Sequence, residues 1–186
     1  AEVMFFTDKC QVYKTRLAEF ADTKASVLGD YLPAKLGMDE DESILWMCLP
    51  GDYSGHLVFF FENGKAARVE LQAYATASNR RRLTGAYSDK SPVVHIEYLA
   101  EDRELALYST EPRALIFHTS LLMPKSTRTT QGVAVMTLKP KYHLERVAHP
   151  EETGITNASR YRARSIPGMG ALVKTEDSDD KQMELL

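Results

Sequence analysis

An all-β, propeller-like fold of about three four-stranded blades is what this 186-residue sequence predicts, and three observations carry the prediction. The apolar segments are short, rich in Val, Ile, Phe and Tyr, and broken by turn residues at roughly ten-residue intervals. Three pairs of them have the pattern of one and the same hairpin. The hairpins also recur at a spacing that suits a blade: Gly29 to Gly85 is 56 residues and Gly85 to Gly132 is 47.

Taken in chain order, the first hairpin is MFFTDKCQVYKTRL at 4–17, with Asp8-Lys9 at its turn. The second, LVFFFENGKAARVEL at 57–71, has Asn63-Gly64 at its centre, a dipeptide suited to a type I′ turn with both central residues at positive φ. The third spans 105–117, with Glu111-Pro112 at its turn. Phe6, Phe60 and Tyr108 fall just before the turns, Lys14, Arg68 and Ile116 lie in the return strands, and Phe20, Tyr74 and Leu122 close each unit. A polar loop ending in glycine follows each closing residue: ADTKASVLG, ATASNRRRLTG and MPKSTRTTQG. An apolar strand comes next, at 43–49, 92–99 and 142–148. Blades bury their faces on one another, so Phe6, Phe20, Phe59, Phe61, Tyr74 and Trp46 read as core and not as a ligand platform.

Composition excludes several functions. The longest apolar run, LVFFF at 57–61, is far too short to span a membrane, and no signal-peptide pattern opens the chain, so a cytoplasmic protein is the simple reading. Cys10 and Cys48 stand far apart with no histidine at ligand spacing, which predicts two buried or half-buried thiols and neither a disulfide nor a zinc site. His56, His95, His118, His143 and His149 are dispersed, and neither a nucleophile elbow nor a phosphate-cradling loop is present. No catalytic residue and no metal ligand is predicted.

Charge is the informative property. The chain is slightly acidic, with 23 Lys and Arg against 26 Asp and Glu, yet its bases gather in the polar loops. Lys24 marks the first loop, Arg80, Arg81 and Arg82 the second, and Lys125 and Arg128 the third, with Lys139 and Lys141 shortly after. From Ser120 to Tyr142 there are four basic residues and no Asp or Glu. A single basic loop reads as a solvated turn. Three at one blade position line up into a stripe that suits a phosphate backbone, which responds to the potential within about 8–10 Å and not to net charge. Carboxylates collect elsewhere, in MDEDES at 38–43 and LAEDRE at 99–104.

The hairpins FFTDKCQVYK and FFFENGKAARVEL, followed by STRTTQGVAVMTL at 126–138, closely resemble the C-terminal domain of the A subunit of bacterial type IIA topoisomerases, DNA gyrase and topoisomerase IV. The resemblance runs from about residue 3 to 150. It implies a β-pinwheel, here a short one forming an open or incomplete disc, with repeats at about 3–50, 56–100 and 104–150 in a DNA-binding domain over 1–150. It implies a noncatalytic domain that bends double-stranded DNA through Arg80, Arg81, Arg82, Lys125 and Arg128, with Lys24, Lys139 and Lys141 in second rank. The implied partners are the rest of the A subunit and the ATPase B subunit; ATP and Mg2+ belong to the holoenzyme, and the implied location is the bacterial cytoplasm, at the nucleoid. SNRRRLTG keeps the arginines of the gyrase box QRRGGKG but lacks its glycine pair, which favours bending over active wrapping. A bladed protein-interaction module without DNA binding is the competing reading. Arg160-Tyr161 imitates the catalytic pair of the family without the domain that would serve it, so 151–174 reads as a closing arm whose arginines could add to the DNA surface. The acidic segment 175–186 is predicted to be a disordered tail.

Overall fold

The computed structural model describes residues 1–20, 33–77 and 81–178. Its strands are β1 (Glu2–Thr7), β2 (Val12–Arg16), β3 (Ile44–Cys48), β4 (His56–Phe61), β5 (Lys65–Glu70), β6 (Arg82–Leu83), β7 (Val93–Leu99), β8 (Glu104–Ser109), β9 (Arg113–His118), β10 (Val133–Ala134), β11 (Leu144–Ala148) and β12 (Ala171–Leu172). They form three antiparallel four-stranded sheets with the orders β3-β1-β2-β6, β10-β5-β4-β7 and β11-β8-β9-β12. Each hairpin is thus flanked by the apolar strand that follows it and by a two-residue strand from further along the chain.

That second flank is where the structure departs from the sequence reading. SNRRRLTG is predicted as a loop, but Arg82–Leu83 within it pairs with β2 of the first sheet, and Val133–Ala134, just past the loop MPKSTRTTQG, pairs with β5 of the second. The segment after each hairpin therefore crosses back and completes the preceding blade. Ala171–Leu172 does the same for the third sheet, pairing with β9. Two-residue edge strands carry no alternation of their own, and the non-local pairing alone makes them strands.

The middle blade is covered on both faces, which explains the unbroken run LVFFF. Leu57, Phe59 and Phe61 pack with Met4, Phe6 and Val12 of the first blade, while Val58 and Phe60 pack with Leu105, Leu115 and Phe117 of the third. A strand buried on both sides reads as continuously apolar instead of alternating. Aromatic edges join the layers: Phe6 to Phe59 at 5.9 Å between ring centroids, Phe60 to Phe117 at 6.2 Å. The outer faces of the arc are covered by the chain itself. Leu36, Met38 and Ile44 cover Val3, Phe5 and Tyr13 on the first sheet, and Tyr161, from the short helix Ala158–Tyr161, covers Ala106, Ala114 and Ile116 on the third.

Two further expectations change. Asn63 is absent from the residues with positive φ, whereas Gly64 has φ of 84° and donates its N–H to the Phe61 carbonyl at 3.0 Å. The turn is therefore a three-residue loop with glycine in the left-handed position and not type I′. Gly64 is also where Val135 and Met136 N–H groups reach the hairpin, donating to its carbonyl at 3.0 and 3.1 Å. Within the predicted tail, Thr175–Asp177 forms a 3-10 turn and Asp177 is buried, accepting from the Tyr161 hydroxyl at 2.6 Å. A carboxylate that finds a buried hydroxyl and the nearby Arg160, at 3.6 Å, is anchored despite the acidic composition around it. Residues 179–186 lie outside the described residues, as do Gly29 and the side chain of Phe20.

Candidate nucleic-acid interface

Backbone carbonyls explain where many of the cations go. The 3-10 turn Leu71–Tyr74 ends the second hairpin and leaves its last carbonyls without helical partners. Lys14, inside the first blade, donates to the Tyr74 carbonyl and to Thr76 Oγ1 at 3.4 Å, while Arg128 Nη1 donates to the Ala73 carbonyl at 2.9 Å. Burial, reinforced by the neighbouring Arg128 charge, lowers the Lys14 ammonium pKa. One blade later Arg68 repeats the device. Its side chain is 8% exposed, and it donates to His56 Nδ1 at 2.8 Å, to Asp102 at 2.7 Å and to the carbonyls of Thr119 and Leu122 at 2.9 and 3.4 Å. The third equivalent position is Ile116, which meets the arm instead of a further blade.

The structure brings the second and third basic segments side by side. Arg128 Nε donates to the Gly85 carbonyl at 3.4 Å and its guanidinium lies 6.0 Å from the Tyr74 ring centroid, so the third crossing rests on the second. Arg81 is exposed, with its carbonyl accepting from the Lys14 N–H at 2.6 Å. Arg82 is half exposed on β6, donates to Gln11, pairs with Asp39 at 3.6 Å and stands 5.7 Å from the Tyr13 ring. Lys125 is exposed on a backbone fixed against β5: its N–H donates to the Arg68 carbonyl and its carbonyl accepts from the Glu70 N–H, both at 2.9 Å.

The remaining predicted residues are placed less favourably for an anion. Lys139 pairs with Glu111 at 3.1 Å, a carboxylate it shares with Arg113 at 2.6 Å. Lys141 is exposed, at φ of 76°. Lys24 and Arg80 lie outside the described residues. In the arm, Arg162 is held by Glu104 at 2.6 Å and Arg160 by Asp177, while Arg164 is exposed. Sequence reading missed Arg146 on β11, exposed with its guanidinium 4.2 Å from the Tyr108 ring centroid. Only the fold reveals that pairing, because 38 residues separate the two.

Burial disfavours the thiolate of both cysteines, pushing the Cys48 thiol up to about 11 and raising Cys10 as well. Among the described residues no group of three His, Cys, Asp or Glu side chains is placed to hold a metal ion, and no helix is long and apolar enough to cross a membrane.

No protein-family model matches the chain, and no curated protein does. Solved structures do. The C-terminal domain of DNA topoisomerase IV superposes with a TM-score of 0.65 at 23% identity, over 78% of this chain and 46% of that one. The DNA gyrase A C-terminal domain superposes with a TM-score of 0.62 at 19% identity, over 95% and 62% of the two chains. The E. coli ParC C-terminal domain gives 0.67 at 13% identity, over 93% and 76%. The fold is a β-pinwheel. The chain spans about half the length of the topoisomerase IV domain and about three fifths of the gyrase A domain. In this pinwheel the basic crossings are the strands that lock one blade to the next, so part of the charge seen in the sequence holds the arc together. The exposed cations Arg81, Lys125, Lys141 and Arg146 form the candidate interface.

Proposed function

We propose that this pinwheel is a DNA-binding and DNA-bending C-terminal domain of a type IIA topoisomerase A subunit, presenting duplex DNA for strand passage by the holoenzyme. The observation that carries the reading is the side-by-side packing of the two basic crossings, with Arg128 donating to both Ala73 and Gly85. That packing brings the segment of Arg81 beside the segment of Lys125, which has no Asp or Glu between residues 120 and 142. Contacts of this kind are made to phosphates, release counterions and position a duplex without reading its sequence. The bend is offset by the added contacts along the arc. In this reading ATP, Mg2+ and the B subunit act elsewhere in the holoenzyme, at the nucleoid, and the domain needs no cofactor of its own.

Retardation of a linear duplex at low salt tests it. The chain should shift the duplex, and Arg81→Ala with Lys125→Ala should weaken the shift; no binding at low salt would sink the reading. One observation favours a protein-docking role instead: Leu45, Met47 and Leu49 are exposed in and beside β3. Capture of a protein partner that Met47→Glu abolishes, with duplex ignored, would establish that second reading.

A further inference from the structure

An apolar ridge stands inside the basic surface. Met123 is 75% exposed, Val133 50% and Leu121 36%, and Pro124 beside Met123 is exposed as well. Leu121, Met123 and Val133 line one hollow of about 200 Å3 together with Lys125. One exposed methionine is ordinary on a protein surface, but several apolar side chains gathered around a lysine are a feature that asks for a partner.

The ridge is held firmly. Leu122 is buried in the core between the second and third blades and its N–H donates to the Thr119 carbonyl at 3.0 Å, while Lys125 is tied to β5 through both backbone groups. Met123 and Pro124 span the short distance between these two anchors, so the thioether projects from a fixed backbone. Charge selects the occupant. The stretch from Ser120 to Tyr142 has no carboxylate and keeps Lys125 exposed beside the ridge, which suits a polyanion and disfavours a basic protein surface. On a duplex such a ridge can meet thymine methyl groups in the major groove or, through the minor groove, the faces of the stacked bases, and a protruding unbranched side chain on a fixed backbone suits the second.

We infer that Met123, backed by Leu121 and Pro124, is a wedge that enters the minor groove between two base pairs of a duplex held by Lys125, and kinks it there. The inference rests on the DNA-binding reading and adds the device that bends: a local kink at one step instead of a smooth curve. Wedges of Met, Leu, Phe or Pro open base steps and kink duplexes by roughly 20–90°. The unbranched methionine side chain fits an irregular gap between bases better than a rigid one.

The test uses the full chain and a short duplex labelled at both ends for energy transfer, with 2-aminopurine placed at successive steps. Wild type should bring the ends together and raise 2-aminopurine emission at one step. Met123→Ala should keep affinity within about twofold, since phosphate contacts dominate it, yet lose most of both signals; Met123→Leu should retain them. Met123→Ala bending the duplex as wild type does would overturn the wedge. So would a loss of affinity and bending in proportion, with circular dichroism unchanged, because that marks an ordinary contact. A wild type that leaves the duplex unretarded overturns the DNA-binding reading itself, a failure distinct from that of the wedge.

Discussion

Arg68 shows what one side chain does between two blades. Its guanidinium meets an imidazole nitrogen, a carboxylate and two carbonyls of the next unit, those of Leu122 and of Thr119, the latter shared with the Leu122 N–H. Arg68→Ile, which copies the residue at the equivalent position of the third blade, should destabilise the protein by about 2–4 kcal/mol. Urea unfolding measures it, and a loss under about 0.5 kcal/mol would refute the latch. The lower half of that range is the better guide, because Asp102 is more than a third exposed and its share is screened. Glu42 presents a different problem, a buried carboxylate held by neutral hydrogen-bond donors. Burial pushes its pKa up, but hydrogen bonds from Thr7, Tyr13, the Asp39 N–H and Gln11 outweigh that and hold it below its ordinary value of 4.5. A depressed carboxyl stabilises the fold above its unfolded pKa, and that stability is lost as pH falls through the folded value. Glu97, desolvated but held down by His95 and His149, has the same sign. The share of stability from these two carboxylates should therefore be complete above about pH 5 and fall below about pH 4.5, while His56, its pKa lowered by burial and by Arg68, adds a separate rise in stability as pH climbs toward 7. Glu42→Gln should cost about 2 kcal/mol at pH 7 and flatten the acid limb; an unchanged limb in thermal unfolding across pH would show that Glu42 is not its source.

At the scale of elements, the donated strands decide the architecture. Gly132 enters β10 with φ of 73°, and a Cβ there would run into the Ala66 carbonyl of β5. Gly132→Ala should cost about 2 kcal/mol or more, since the left-handed conformation alone is worth about 1–2 kcal/mol. The loss should appear first as faster amide exchange in β5, and uniform exchange across all three sheets would contradict a local role. The hairpins were legible in the sequence because turn, alternation and pairing partner lie within fifteen or so residues of each other. The donated strands were not: Leu83 pairs with Val12 across a whole blade, and nothing in RRRLTG records that. The same distance hides the difference between Lys125 and Arg128. Both look like loop cations, but one is exposed and the other is folded onto the carbonyls of Ala73 and Gly85, acceptors that every residue type carries.

Across the whole molecule, that difference separates stability from binding. Lys125→Ala should weaken duplex binding and leave the unfolding midpoint unchanged, whereas Arg128→Ala should lower the midpoint. Each phosphate contact adds about 0.9 to the slope of log affinity against log salt, so about four contacts predict a loss of roughly 10²-fold between 50 and 200 mM salt. Titration of wild type and Lys125→Ala should show slopes differing by about one; equal slopes would remove Lys125 from the interface. The three blades and their aromatic cores could be read from periodicity, because repeated faces demand repeated residues. The interface was legible only as a region, because which cations remain exposed depends on carboxylates such as Asp39 and Glu111, far off in the chain.

Completion of the first two sheets by the segment after the next hairpin also imposes an order on synthesis. As the chain leaves the ribosome, the first sheet has only β1, β2 and β3 until Arg82 and Leu83 emerge, and the second waits in the same way for Val133 and Ala134. Every nascent intermediate therefore carries one unpaired strand edge at its newest blade, an edge that templates pairing with other chains until the following segment arrives. Truncation after residue 81 or 132 would freeze that state, and such fragments should associate where the complete chain does not.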